Sequence, residues 1–253
     1  MKEEQDKKEQ EKEKQKEREQ RLQLDLLDGL SDVKPDDLQQ LYPYPFDGFQ
    51  MDALESLCSQ RSVLVSAPTG SGKTLIAEAA AAAALSRGER VFYTTPLKAL
   101  SNQKLREFEE KFGEENVGLI TGDVSKNVDN ASVVVMTTEI LRNMLYAQAG
   151  SKTVAQQEGA GTDPQNEDAA VVDRRFDGVS MVVLDEVHYL SDVSRGTVWE
   201  EVIIYMPQNV RLCCLSATVG NTSELASWIS QVHAQCDYVT SNSSPVALRW
   251  FFS

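Results

Sequence analysis

The feature that most constrains this chain is the run Val63-Leu-Val-Ser-Ala-Pro-Thr-Gly-Ser-Gly-Lys-Thr74. Apolar residues open it, glycines punctuate a turn, and an alanine-rich stretch follows. That order predicts strand, loop, helix. Gly70 and Gly72 let the backbone curl until successive N–H groups face inward onto a phosphate. Lys73 is then placed to reach the outer phosphates of a nucleotide, and Thr74 to offer its hydroxyl to Mg2+. The helix adds the positive end of its dipole. Ala67, Pro68, Thr69, Gly70, Ser71, Gly72, Lys73 and Thr74 are therefore the candidate cofactor loop. The strict form of the pattern opens on Gly where this chain has Ala67.

From Ser62 onward, short apolar runs alternate with amphipathic ones. Strands are predicted over Val63–Ser66, Arg90–Thr94, Val117–Thr121, Ser132–Thr137, Met181–Asp185, Arg211–Ser216 and Asp237–Thr240. Helices are predicted over Gln50–Ser59, Lys73–Arg87, Lys98–Phe112, Thr138–Gln148, Val198–Met206 and Thr222–His233. Such alternation implies an α/β fold, a mainly parallel sheet with helices on both faces. Ala79–Ala84 has the propensity of a helix. Residues 149–178, rich in Gly, Gln, Ala and Asp, break the rhythm and read as a mobile surface insertion. Residues 1–21 hold eight basic and eight acidic groups and form a charged, solvated tail. Residues 22–40 read as a linker, and 41–253 as the folded domain.

Composition excludes some classes. Hydrophobic residues are 41% of the 253, enough for a core. The four cysteines (Cys58, Cys213, Cys214, Cys236) fall at no metal-binding spacing. No apolar run is long enough to span a membrane. A net charge of −14 does not suit tight standing affinity for nucleic acid, so any such contact must be local or use backbone N–H groups. The acids in residues 1–21 are unlike a transit peptide.

A second chemical signal is Met181-Val-Val-Leu-Asp-Glu-Val-His188. Four apolar residues would deliver Asp185 and Glu186 to the carboxyl edge of the sheet, where ligands bind in open α/β folds. Asp185 is the candidate metal residue, together with Thr74, for Mg2+ held through water. Glu186 is the candidate catalytic residue that orients and deprotonates an attacking water, with Lys73 as partner on the phosphates. The loop and the acid pair are expected to meet across neighbouring strands.

These residues together resemble the DExH-box helicases of superfamily 2, the Ala67 variant included. The resemblance implies a RecA-like P-loop domain and an ATP-dependent RNA helicase. It covers about residues 41–253 apart from the insertion, and represents the first of two motor domains. It assigns Phe46 and Gln50, in Phe46-Asp-Gly-Phe-Gln50, to adenine recognition. His188 would link nucleotide to nucleic acid, and Ser216-Ala217-Thr218 would couple hydrolysis to strand movement. Single-stranded RNA would be held by its backbone at Pro96 and Lys98, at Gly122 and Asp123, and at Thr137, Thr138 and Glu139. Leu97-Lys-Ala-Leu-Ser-Asn-Gln103, Thr137-Thr-Glu-Ile-Leu-Arg-Asn-Met-Leu-Tyr146, Asp185-Glu-Val-His-Tyr-Leu-Ser-Asp192, Arg195-Gly-Thr-Val-Trp-Glu-Glu201 and Ser244-Pro-Val-Ala-Leu-Arg-Trp-Phe-Phe252 resemble the Ski-like branch, and within it the plastid-type enzymes of plants and algae. That implies a monomeric chloroplast protein, with cytoplasm or nucleus as alternatives. A DNA helicase of the same branch and a non-catalytic, ATP-switched RNA-binding scaffold stay open as other readings. Nothing in the chain resembles the second motor domain, whose arginine would complete the ATP site.

Overall fold

The structure, a computed structural model, describes residues 21–30, 32–157, 174–191 and 196–243. Most of the charged tail, the middle of the expected insertion (158–173), Asp192 to Arg195 and the closing Ser244–Phe252 segment lie outside the described residues.

After a 3-10 turn at Leu24–Leu27 come α1 (Pro35–Gln39), α2 (Gly48–Cys58), β1 (Ser62–Ser66), α3 (Lys73–Ser86), β2 (Arg90–Thr95) and α4 (Lys98–Phe112). Then follow β3 (Val117–Ile120), β4 (Ser125–Lys126), β5 (Val133–Thr137), α5 (Thr138–Gln157) and β6 (Val179–Leu184). The remainder is α6 (Gly196–Tyr205), β7 (Arg211–Ser216), α7 (Thr222–Val232) and β8 (Cys236–Thr240). The strands form one sheet in the order β4-β3-β5-β2-β6-β7-β1-β8. All pairings are parallel except the short β3–β4 contact.

Alternate residues of the strands point to opposite faces and found two cores. Val63, Val65, Val91, Tyr93, Val133, Val135, Met181, Val183, Cys213 and Leu215 pack beneath α2, α3 and α4. Their neighbours Leu64, Phe92, Val134, Met136, Val182, Leu184, Leu212 and Cys214 pack beneath α5, α6 and α7. Strands buried on both faces account for the unbroken apolar runs in the sequence.

Two expectations change. Residues 22–40 are more than a linker: Leu27, Val33 and Leu38 are buried in the first core, and the Leu22 N–H donates to the Lys111 carbonyl at 3.0 Å. Their apolar residues are too sparse to show as a periodic face, but sufficient to cover α3. The expected insertion also starts later. Helix α5 runs on to Gln157 past Gly150, because an isolated glycine costs a helix only about 1 kcal/mol. At the far end Phe176 is buried against Phe92, with ring centroids 5.3 Å apart.

Candidate nucleotide site and strand-binding edge

The loop after β1 is a phosphate cradle in geometry. Gly70 and Gly72 stand at φ 80° and 83°, the left-handed region that glycine enters without strain. Gly72 caps α3 with no side-chain hydrogen bond, which leaves the first N–H groups of a 14-residue helix for an anion. The Ser71 hydroxyl is buried and has no hydrogen-bond partner among the described residues. A Cβ added at Gly70 would meet nothing within 4 Å. An open hollow, an uncapped helix and an orphaned hydroxyl fit a phosphate group. Lys73 folds back onto this loop, donating to the carbonyls of Ala67 at 2.7 Å and Pro68 at 2.8 Å. Burial pulls its pKa down, while the negative charges of Glu186 and Asp185 oppose the shift.

The acid pair stands where β6 ends. The Asp185 N–H still donates to the Thr94 carbonyl, at 3.1 Å. The chain then turns so sharply that Glu186 sits at φ 57°, a strained region for a residue with a Cβ. Asp185 Oδ2 accepts from the Tyr93 hydroxyl at 2.7 Å, and Oδ1 from the Glu186 N–H at 2.9 Å. Burial raises the pKa of Asp185 despite the Tyr93 hydrogen bond. Burial and then the Asp185 charge raise that of Glu186. Among the described residues no group of three or more His, Cys, Asp or Glu side chains could hold a metal ion. A Mg2+ here would rest on Thr74, Asp185 and water, with nucleotide oxygens completing its shell.

The expected meeting of loop and acid pair needs one correction. Strands β1 and β6 are not neighbours; both flank β7. The intervening strand carries Ser216-Ala217-Thr218 into the site between them, and Lys73 still feels both carboxylates. His188 ties the parts together. Its Nδ1 lies 3.2 Å from Glu186 Oε2 and 3.4 Å from the Ala217 N–H. One ring nitrogen can donate to the carboxylate or accept from the amide, not both at once. Ser216 Oγ is buried without a hydrogen-bond partner among the described residues, while Thr218 is exposed. A cleft bounded by Val187, His188, Val219 and Trp228 opens beside this junction.

Gln50 and Phe46 are placed less simply. Gln50 is buried; its Oε1 accepts from the Asp47 N–H at 2.8 Å, closing a capping box on α2. Its Nε2 donates to the Gly72 carbonyl at 3.1 Å, wiring α2 to the phosphate loop. Phe46 is buried edge-on against Tyr42 at 5.2 Å.

The three segments expected to contact a strand follow β2, β3 and β5, which lie side by side in the order β3-β5-β2, so one sheet edge carries all three. Gly122 and Asp123 are exposed, and Lys98 is half-exposed. Lys98 and Asp123 already pair, at 2.5 Å to Oδ1. Pro96 and Thr138 are buried, and the Thr138 hydroxyl donates to the Thr95 carbonyl at 3.3 Å, so these two can offer a strand only backbone. Thr137 and Glu139 are partly exposed.

Sequence reading missed two participants. Tyr93 was legible as a hydroxyl inside a buried strand, which must find a partner. Lys104, on α4, comes within 3.4 Å of Thr74 Oγ1 and 2.6 Å of Glu107 Oε2. No local signal distinguishes it from the other charges of its helix.

Fold and site together define a P-loop nucleotide-binding domain with a RecA-like fold. Residues 47–225 match the DEAD/DEAH box helicase family, and the chain belongs to it. It is 53% identical over 89% of its length to "DExH-box ATP-dependent RNA helicase DExH15 chloroplastic" of Arabidopsis thaliana, of which it covers 18%. Against "Probable helicase HelY" of Mycobacterium tuberculosis the identity is 45% over 81% of this chain and 20% of the relative. Against human "Exosome RNA helicase MTR4" it is 43% over 83% of this chain and 18% of the relative. The chain thus spans about a fifth of the length of these relatives. Among solved structures, Mycobacterium smegmatis helicase Lhr bound to ssDNA and AMP-PNP shares the fold. The TM-score is 0.59 at 24% identity, covering 84% of this chain and 29% of that one.

Proposed function

We propose that this chain is the first motor domain of an ATP-dependent RNA helicase acting in RNA processing or decay. The observation that carries this is a single sheet edge holding the P-loop, the Asp185–Glu186 pair, the Ser216–Thr218 turn and the three loops after β2, β3 and β5 expected to read a strand's backbone. Lys73 would leave the carbonyls of Ala67 and Pro68 for the outer phosphates, and the N–H groups of the loop would hold the rest. Mg2+, when bound between Thr74 and Asp185, supplies charge neutralisation on those phosphates. Glu186, held forward by its strained turn, orients the attacking water and takes its proton. Gln50 and Phe46 would position the adenine, with Gln50 exchanging its present partners for the base edge.

His188 gives this site a mechanical output. Donation of its Nδ1 proton to Glu186 and acceptance from Ala217 exclude each other, so a change at Glu186 is felt in the turn after β7. RNA is favoured over DNA as the strand because the relatives at 53% and 43% identity are named as RNA helicases. The first of these names also supports a chloroplast location. Completion of the ATP site awaits an arginine from a second motor domain, worth on the order of 10³–10⁵ in turnover in such enzymes.

The test uses the protein that carries this chain together with its second motor domain. RNA-stimulated ATP turnover should fall by about 10²–10⁴ in Glu186→Gln while nucleotide binding persists. Lys73→Ala should abolish binding of nucleotide. The chain of 253 residues alone should bind ATP weakly and unwind nothing. Unwinding by that chain, or unimpaired turnover in Glu186→Gln, would refute the proposal.

A further inference from the structure

One partly buried cation beside the nucleotide site has no part in that scheme. Lys104 lies on the second turn of α4, and its side chain is only 15% exposed. Its ammonium is 2.6 Å from Glu107 Oε2 and 3.4 Å from Thr74 Oγ1. Thr74 is the hydroxyl that the P-loop offers to a metal ion. The charge of Lys104 also acts on Asp185, Glu186 and Glu78, so it serves a cluster of carboxylates. The other lysine of the site, Lys73, donates to two loop carbonyls instead. An ammonium and a divalent ion that both seek the oxygens around Thr74 and Asp185 cannot both sit close to them without repulsion. Glu107, three residues on, already holds the ammonium at 2.6 Å and would keep it as it withdraws from Thr74.

We infer that Lys104 is a stand-in cation: it balances the Thr74–Asp185 pocket in the nucleotide-free chain and, held by Glu107, gives up its contact with Thr74 when Mg2+ enters with nucleotide. The inference rests on the reading of Thr74 and Asp185 as the metal-side oxygens. It differs from two plainer roles for the same residue. A lysine that merely pairs with Glu107 along its helix would have no effect on metal affinity. A lysine that grips phosphate would strengthen nucleotide binding, and its loss would weaken that binding at any Mg2+ concentration.

The experiment titrates Mg2+ into the chain with a fluorescent ADP analogue and reads the concentration that half-saturates nucleotide binding. Lys104→Met should lower that concentration by about three- to tenfold, because the competing charge is gone. Affinity at saturating Mg2+ should stay close to wild type. Glu107→Gln should raise the half-saturating concentration by about two- to threefold, since no carboxylate then holds the ammonium away from Thr74. Lys126→Met, which removes an exposed lysine paired with Glu109 on the same helix, is the control and should match wild type. An unchanged or raised Mg2+ requirement in Lys104→Met overturns the inference, and so does weaker nucleotide binding at saturating Mg2+. If Lys104→Met does not fold, Glu107→Gln decides alone, and a wild-type value there overturns it. Failure of the wild-type chain to bind nucleotide, or indifference of that binding to Mg2+, would sink the functional reading itself; a normal Mg2+ requirement with unresponsive variants sinks only the role of Lys104.

Discussion

Glu186 concentrates the cost of this site in one residue. Its backbone lies in the left-handed region, which costs an L residue on the order of 1–2 kcal/mol. Its carboxylate is pressed by burial and by Asp185, and Asp185 itself is resisted by burial. Both folded-state pKa values are therefore raised, and the sign of the linkage follows. The folded chain holds these protons more tightly than the unfolded chain, so the pair favours folding below the ordinary carboxylate range. That support is lost as pH climbs through the raised values. Glu186→Gln should flatten this part of the pH–stability curve and make the nucleotide-free chain more stable near neutral pH. Urea melts at about pH 5 and about pH 8 check it. A variant that is less stable than wild type near pH 8 would contradict the electrostatic account. At this scale the sequence was partly legible. Lys73, Asp185 and Glu186 announce themselves by spacing within short runs, whereas the hydrogen bond from Tyr93 to Asp185 spans 92 positions and has no local trace.

Among the elements, α3 shows how propensity and burial can be confused. The run Ala79–Ala84 reads as helix because alanine is the best helix former, and the helix is there. The deeper reason for alanine lies in the packing. All six residues are buried, 0–6% exposed, because α3 is wedged between the sheet and a second layer made by Leu27, Leu38 and Leu54. Small side chains let the backbone approach on every side, so the helix has no polar face to reveal its orientation. Ala82→Leu should therefore cost about 1–3 kcal/mol by overpacking, although leucine is nearly as good a helix former. A melt of that variant within a few tenths of wild type would mean that propensity alone explains the run. The same reasoning explains the N-terminal residues 22–40. Their value lies in what they cover, and a sequence scan for periodic faces cannot see a lid of single leucines.

Across the whole molecule, the question is how a chain of net charge −14 can hold a nucleic-acid strand. The three loops after β2, β3 and β5 form a continuous edge, yet the candidate cation on it, Lys98, is paired with Asp123. If the edge takes a strand as proposed, that strand would compete for Lys98 against a carboxylate that also accepts from Thr121, at 3.1 Å. Under the proposed function that pairing would keep affinity low and would suit a motor that releases its strand in every cycle. Asp123→Asn removes the competitor and one repulsive charge beside the phosphates while keeping the size of the side chain. Binding of a fluorescent oligo(U) strand at low salt should tighten by about two- to fivefold, and its salt dependence should steepen as Lys98 becomes free to displace a counterion. Weaker binding in Asp123→Asn would mean that the pair itself positions Lys98 for the strand. The ion pair would then be part of the grip, and the low standing affinity would have to come from the net charge of the chain.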